Sequence, residues 1–499
     1  MSIVRLLAAV LSLAVCAWSA RFYNGQAARA VIGQPSFSAA GTGVSISSMW
    51  IAHGRLYVTD AAQQTVAFDL SAISAPQAEP AGQGSGCAVC GFKPVAAAAH
   101  SSPLPANLAT FGKTVVLADT PNHRVLIWRN TRAVARSGAP DVILGGSAAN
   151  TGSLSSTTIE DPVSVAFDGH RLFVGDAALH RVLVWNSLPE ADDQPADAVL
   201  GQPDFATADI PEAPNAETIG DPVALASDGT NLFVADSTYH RILMFSVADT
   251  SLKDDAVTNA ASFRPGTLAA GTLVDIGGTK LADAAVSAPD DGIHALPAKL
   301  SGVEAIFDGV ALPLLSVSPG EVRAQLPYKL GNATAGSIYI RTEHSNGTVS
   351  VSSAANVTIA AASPGLFAFG GGQEPRSGLV VHAGAKGQSG APVTGENPAA
   401  PGQVVVLWAA GLGALHSGKS AARMGVPFAG QQAQTAVPVQ AIVAGRHARV
   451  LSSVLPAGSI GVYEIRVLLP ADLPVSLRTP LLVVQNGTVS NTVTFPVMP

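Results

Sequence analysis

Short apolar runs, bounded by Asp, Gly, Asn and Pro, recur along almost the whole chain, and in the first half they recur with a fixed period. Four segments share one pattern: Arg55-Leu-Tyr-Val-Thr-Asp60, Thr114-Val-Val-Leu-Ala-Asp119, Arg171-Leu-Phe-Val-Gly-Asp176 and Asn231-Leu-Phe-Val-Ala-Asp236. Their closing Asp residues are 59, 57 and 60 positions apart. Five positions after each Asp a second apolar run begins, at Thr65, Arg124, Arg181 and Arg241. A run also precedes the pattern, as in Asp161-Pro-Val-Ser-Val-Ala-Phe-Asp168-Gly and Asp221-Pro-Val-Ala-Leu-Ala-Ser-Asp228-Gly. A short fourth run follows, as in Ala198-Val-Leu-Gly-Gln-Pro. Runs this short, rich in β-branched and aromatic residues and separated by turn formers, predict strands. Four-stranded units repeated radially predict a β-propeller.

The fourth-strand motif indicates how the ring closes. It occurs at Ile143-Leu-Gly-Gly and Val199-Leu-Gly-Gln-Pro203, and once out of place at Val31-Ile-Gly-Gln-Pro35. In the first unit, Cys87-Ala-Val-Cys90 falls near the expected position, and after the last unit, which ends at Val247, no such motif follows. The strand near Val31 is therefore expected to complete the last unit and remove an exposed sheet edge. The count predicts a small ring of about four blades, with an incomplete or irregular ring as the alternative.

After Asp255 the blade pattern stops and a second duplication starts. Glu304-Ala-Ile-Phe-Asp-Gly309 matches Gln440-Ala-Ile-Val-Ala-Gly445, Val322-Arg-Ala-Gln-Leu-Pro327 matches Ile465-Arg-Val-Leu-Leu-Pro470, and Asn346-Gly-Thr-Val-Ser350 matches Asn486-Gly-Thr-Val-Ser490. Gly271–Gly277 matches Gly402–Trp408 more loosely. Asn-Gly between alternating apolar runs marks hairpins, and about seven short strands per copy suit an immunoglobulin-like sandwich. The expected fold class is all-β: a small propeller followed by two tandem immunoglobulin-like β-sandwiches. The expected boundaries are 1–20 for a leader, 21–250 for the propeller, 256–370 for the first sandwich and 377–499 for the second.

The leader is read from Arg5, the apolar run Leu6 to Val15 and the small residues Ala17, Ser19 and Ala20. This is the layout of a secretory signal peptide, too short for a bilayer span of about 20 apolar residues. Cleavage after Ala17 or after Ser19 both suit the small-residue rule, and Cys16 raises a lipoprotein reading that bulky Val15 disfavours. The expected address is outside the cytoplasm (periplasm, cell surface or medium), with no transmembrane anchoring. Composition adds two exclusions. Charged residues are 13% of the chain against an ordinary ~25%, and hydrophobic residues are 47%, so the chain is not of the disordered class. The net charge of −7 is spread without a basic run, which argues against nucleic acid as a partner.

The Asp-x-x-x-His-Arg-apolar sequence, with the preceding Leu-Phe-Val-small-Asp, resembles the NHL family of propeller repeats over about residues 28–248. The resemblance implies a propeller and leaves function open, since such propellers include protein-binding, RNA-binding and lyase members. Val257-Thr-Asn-Ala-Ala-Ser-Phe263, Ala362-Ser-Pro-Gly-Leu-Phe367, Pro401-Gly-Gln-Val-Val-Val-Leu and Ser490-Asn-Thr-Val resemble the Solibacter-type C-terminal domain of exported acidobacterial proteins. That resemblance covers nearly all of 256–499, implies IPT/TIG-like sandwiches and carries no catalytic residues.

Several groups are candidates for chemistry. Asp60, Asp119, Asp176 and Asp236, with Arg124, Arg181 and Arg241, recur once per blade. A catalytic group is needed once, whereas a turn-fixing Asp is needed in every blade, so these read as structural. His123, His180 and His240 occupy one blade position, with Gln64 in the first blade. Equivalent positions converge on the axis of a ring, and three imidazoles with an open fourth position are a zinc arrangement. The competing reading is that each His hydrogen-bonds within its own turn. Cys87 and Cys90 form a C-x-x-C without a second pair and without a haem-attachment His, and read as a short-loop disulfide in an oxidising compartment. Gly413-Ala-Leu-His-Ser-Gly-Lys-Ser420 fits a P-loop pattern. Only four residues separate it from Gly425-Val-Pro427, too few for the helix that would aim its N–H groups at phosphate, so no nucleotide is expected. The pairs Asp192-Asp193, Asp254-Asp255 and Asp290-Asp291 lack EF-hand spacing and read as solvated loops.

These readings point to an exported non-enzymatic binding protein with a protein or glycan partner, the propeller as recognition face and the sandwiches as spacer or surface-attachment modules. The alternative is a lyase or lactonase of the NHL-like kind, with a metal-assisted site at the propeller axis.

Overall fold

The computed structural model describes residues 20–41, 45–74, 90, 94–97, 104–146, 153–289, 292–370, 373–384, 389–416 and 422–499. Residues 1–19 of the expected signal peptide, Cys87, Asp290-Asp291 and half of the P-loop-like segment, 417–420, lie outside these residues. The fold is all-β. The chain divides into two compact units, one made of residues up to Ala75, Val89–Ser251 and Ser350–Ala354, the other of Leu252–Val349 and Ala355–Pro499. No described helix is long and apolar enough to cross a membrane.

The first unit is the propeller. Its described residues hold four antiparallel sheets of four strands each. The third runs Pro162–Phe167, Leu172–Asp176, Arg181–Trp185 and Ala198–Leu200, in chain order. The inner strands pack in the order Leu108–Phe111, Pro162–Phe167, Pro222–Ser227, Ile46–Ala52. Apolar side chains of adjacent sheets share a core: Val116, Val125 and Leu144 from the second meet Val165, Val174 and Leu183 from the third. Closure follows the out-of-place motif. Ala30–Ile32 pairs antiparallel with Arg241–Ser246, setting Val31 against Leu243 and Ile32 against Ile242. All three residues of the closing strand are buried, and their burial and backbone bonds cover the edge the last sheet would otherwise expose.

Three details differ from the sequence expectation. The fourth strand of the first sheet is Ala96–Ala97, paired with Val66 and Ala67; Cys90 instead bridges Val31. Cys90 is disulfide-bonded. The hairpin of the first sheet is also one residue shorter than its counterparts. Asp60 accepts from the Gln64 amide, and the left-handed residue is Gln63, φ 60°, so Gln63 rather than Gln64 takes the place of the three histidines. Third, Ser350–Ala354 belongs to the propeller unit although the expected boundaries put it in the first sandwich. Within that unit Ala27 pairs with Ala354, and Arg29 Nη2 donates to Ser352 O at 2.7 Å.

The second unit holds the duplicated sandwiches, and the duplication extends to strand register. Val274 faces Ala324 in the first copy; the matching residues, Val405 and Val467, face each other in the second. Each copy buries the alternating apolar residues of two facing sheets: Val274, Phe307, Val322 and Ile338 in the first, Val405, Val443, Val467 and Leu481 in the second. One difference between their topologies traces to a single residue. In the second copy the eleven-residue strand Arg446–Pro456 pairs with Val439–Val443 and then crosses to Tyr463–Leu468, joining the two sheets. In the first copy the matching stretch is broken into Val310–Ala311 and Leu314–Val317. Pro313 stands where the second copy has Arg449, and proline has no N–H to continue the ladder.

Candidate functional site

The hairpins carrying the recurrent Asp, His and Arg lie at the end of the propeller where the inner strands begin, as the pairing of Asp176 with Pro162 and of Asp236 with Pro222 shows. Each hairpin reverses through four residues, and the last takes a left-handed conformation: φ 54° at His123, 52° at His180 and 50° at His240. Such φ values are uncommon outside glycine, and histidine is among the types that tolerate them.

The imidazoles work between blades. His180 Nδ1–H donates to Gly220 O at 2.6 Å, and His123 Nδ1–H donates to Glu160 O; both acceptors lie two residues before the next sheet's inner strand. The carbonyl partner fixes the tautomer, with the proton on Nδ1. His240 Nδ1 is buried with no hydrogen-bond partner among the described residues. Val44, the position matching Glu160 and Gly220, lies outside them. Among the described residues no three of His, Cys, Asp and Glu are grouped to hold a metal ion.

The aspartates secure the same strand starts from the other side. Asp236 Oδ1 accepts from the Gly220 and Asp221 amides at 3.1 and 3.2 Å. Asp176 accepts from Asp161 N at 2.9 Å and Glu160 N at 3.3 Å. Gly220 is thus gripped by its own sheet's Asp through N–H and by the previous sheet's His through C=O. The arginines complete the clamp. Arg241 Nε donates to Asp236 at 3.1 Å, and its Nη atoms donate to Phe37 O, Asn215 O and Thr218 O at 2.7, 3.0 and 2.7 Å. Arg181 Nη atoms donate to Phe205 O and Thr158 O. Burial pushes the Asp176 and Asp236 carboxyls up and the Arg181 and Arg241 guanidiniums down, against the attraction within each pair. Arg124 and Asp119 make the same pair at 2.7 Å on a more exposed hairpin.

The Leu-Gly-Gln part of the fourth-strand motif also acts on the histidines. Gly201, φ 90°, lies so close to the His180 carbonyl that a Cβ would stand 2.9 Å from its oxygen. Gln202 Nε2 then donates to His180 O and Asp209 O, while its Oε1 accepts from Asp209 N. Gln34, after the closing strand, repeats the contact on His240 O at 3.0 Å. The spacing of the motif does not by itself connect its Gln to the hairpin.

The two contributions of His180 can be separated by substitution. His180→Ala loses the bond to Gly220 and leaves a Cβ-bearing residue at φ 52°; the bond is worth about 1 kcal/mol. His180→Gly loses the bond but relieves the left-handed backbone, worth about 1–2 kcal/mol. Alanine is therefore expected to lower the calorimetric midpoint of the propeller and glycine to restore most of the fall. Equal effects of the two would refute the strained-turn account.

Two other candidates resolve into structural roles. Asp192 Oδ1 and Asp193 Oδ1 accept from Ile143 N and Gly145 N, so this pair docks on the edge of Val142–Gly145 rather than solvating a loop. At the start of the P-loop-like segment, Gly413, φ 73°, accepts through its carbonyl from the Tyr463 hydroxyl at 2.8 Å, and Leu415 pairs with Thr435; no helix begins in the described part of this stretch.

Two clefts open among the described residues of the propeller unit. One, about 260 Å³, is formed by the loop after the third sheet, including Gln202, Asp209, Asn215 and Thr218. The other, about 360 Å³, is lined by Arg21, Phe22, Tyr23, Asn24, Asn186 and Asp197. It joins the segment before the closing strand to the third sheet. None of its residues belongs to the Asp-His-Arg pattern.

No protein-family model matches the chain, and no curated protein matches it. Among solved structures, the computationally designed Ika4 protein is similar at 13% identity over 43% of this chain and 99% of that one, with a TM-score of 0.17. BamB from Moraxella catarrhalis is similar at 14% identity over 40% of this chain, which spans 42% of BamB, with a TM-score of 0.17. The fibronectin(III)-like modules of CbhA from Clostridium thermocellum are similar at 13% identity over 48% of this chain and 94% of theirs, with a TM-score of 0.14.

Proposed function

We propose that the chain is an exported, non-enzymatic binding protein, in which an NHL-like propeller presents a rigid recognition surface and two IPT/TIG-like sandwiches serve as spacer or surface-attachment modules. The observation that carries this reading is the engagement of the repeated polar groups. His180, Asp176, Arg181, Asp236 and Arg241 are each committed to backbone groups or to one another. Side chains used this way rigidify a ring and hold its loops, which is what a preorganised recognition surface requires. Charge supports the choice of partner: at −7 net, a protein or glycan suits the surface better than a polyanion.

The test is equilibrium binding of the full chain to panels of purified polysaccharides and purified envelope proteins, with the ligand analysed afterwards. Saturable, reversible binding with chemically unchanged ligand supports the reading. Protein-dependent formation of an unsaturated uronate, or opening of a lactone probe, overturns it in favour of the lyase or lactonase alternative.

A further inference from the structure

We propose that the cleft lined by Arg21, Tyr23, Asn24, Asn186 and Asp197 is a saccharide site that grips neighbouring hydroxyls of a neutral sugar; this rests on the binding-protein reading above. Its volume of about 360 Å³ lies within the ~300–1,000 Å³ of small-molecule sites.

The cleft is built rather than incidental. Phe22 is 3% exposed and packs edge-on against Phe173, with centroids 5.4 Å apart. That anchor holds Arg21, Tyr23 and Asn24 against the third sheet. Asn24, Asn186 and Asp197 are then each oriented by a backbone bond. Phe22 N–H donates to Asn186 Oδ1 at 3.2 Å, Val199 N–H to Asn24 Oδ1 at 3.0 Å, and Asn186 N–H to Asp197 Oδ2 at 2.7 Å. Because both amide oxygens accept from the backbone, the two Nδ2 groups are fixed as donors. Neither Nδ2 group nor Asp197 Oδ1 has a hydrogen-bond partner among the described residues.

The remaining chemistry selects the ligand. Two oriented amide donors beside one carboxylate acceptor complement a group that both donates and accepts. A hydroxyl does so, and two adjacent hydroxyls can bridge Asp197 and Asn186 together. Arg21 and Asp197 carry opposite charges, so this pair favours neither sign of ligand charge. The Arg21 guanidinium stands 4.9 Å from the Tyr23 ring centroid, which adds a flat, amphipathic wall suited to a sugar ring.

The test uses isosteric exchanges that keep the orienting bonds. Asp197→Asn retains an oxygen for Asn186 N–H but replaces the open acceptor with a donor. Asn186→Asp retains an oxygen for Phe22 N–H but replaces the donor with an acceptor. The probes are soluble glucan, galactan, mannan and xylan, with polygalacturonate as the charged comparison, titrated calorimetrically into the full chain. At least one neutral polysaccharide is expected to bind, and each exchange is expected to weaken it tenfold or more with an unchanged thermal midpoint. Neutral binding that survives both exchanges would place the saccharide elsewhere and leave the binding-protein reading intact. Binding of polygalacturonate alone, lost in Arg21→Ala, would make this a carboxylate site and overturn the diol. Failure of every polysaccharide would overturn the cleft proposal, leaving the broader reading to the envelope-protein panel.

Discussion

Arg241→Ala is expected to destabilise the propeller by about 3–5 kcal/mol, because it leaves a buried carboxylate without its cation. Both side chains of the Arg241–Asp236 pair are 0% exposed. The same guanidinium also holds the carbonyls of Phe37, Asn215 and Thr218. Phe37 follows the closing strand, so this one side chain ties the ring closure to the last hairpin. At the corresponding position in the second sheet, Arg124 is 36% exposed and Asp119 19%. An exposed pair of this kind is worth under about 1 kcal/mol. Calorimetry of Arg241→Ala and Arg124→Ala is the check: the first is expected to lose on the order of 10 °C from the propeller transition, the second no more than about 3 °C. Similar losses in both would mean that the motif itself, rather than its burial, sets the energy. Arg241→Met, which keeps the apolar stem, separates lost packing from the stranded charge; it is expected to restore only the packing part.

That contrast also shows which parts of the molecule are legible in its sequence. A repeat announces where a hairpin lies, because Asp and an apolar run at fixed spacing demand one turn geometry. It does not announce burial, which depends on what covers the hairpin. Arg241 is covered by the segments at Phe37 and Asn215, whereas Arg124 is partly exposed. The closing strand was legible because Val-Ile-Gly-Gln-Pro stood out of order. Cys87-Ala-Val-Cys90 falls near the fourth-strand position by spacing and apolar character alone, whereas two residues, Ala96–Ala97, suffice to pair there. The partner of His180 was illegible for a different reason: it is a main-chain carbonyl, Gly220 O, and every residue type supplies one. The cleft was illegible because Asn24 and Asn186 lie 162 positions apart, brought together only when the ring closes. Pro313, by contrast, was in plain view. Matched against Arg449 across the duplication, it marks where one copy breaks a strand that the other continues.

The second large effect concerns Asp308 and depends on pH. Asp308 and Gly309 form a two-residue hairpin between Phe307 and Val310, with φ 48° and 80°. Positive φ at both positions is the type I′ geometry that favours Asn-Gly or Asp-Gly; the second copy places Ala444-Gly445 there, φ 49° and 77°. The Asp308 side chain turns inward and is 6% exposed. Its Oδ1 accepts from the Ser337 amide at 2.7 Å. Burial pushes its carboxyl up to about 7, against the lowering effect of that amide. A carboxyl raised in the folded state binds its proton more tightly there than in the unfolded chain. It therefore adds nothing unfavourable below the unfolded value of 3.8, lowers stability progressively as pH rises toward 7, and exerts its full cost above that. Three pH units correspond to about 4 kcal/mol. Asp308→Asn keeps the turn preference and an oxygen for Ser337 N–H, and removes the titration. The variant is expected to match the parent near pH 4, to exceed it by as much as about 4 kcal/mol at pH 8, and to flatten the sandwich unit's stability profile between those values. Urea titrations at four or five pH values test this directly. A parent profile without a decline from pH 4 to 7, or a decline that persists in the variant, would show that the Asp308 carboxyl reaches water in solution.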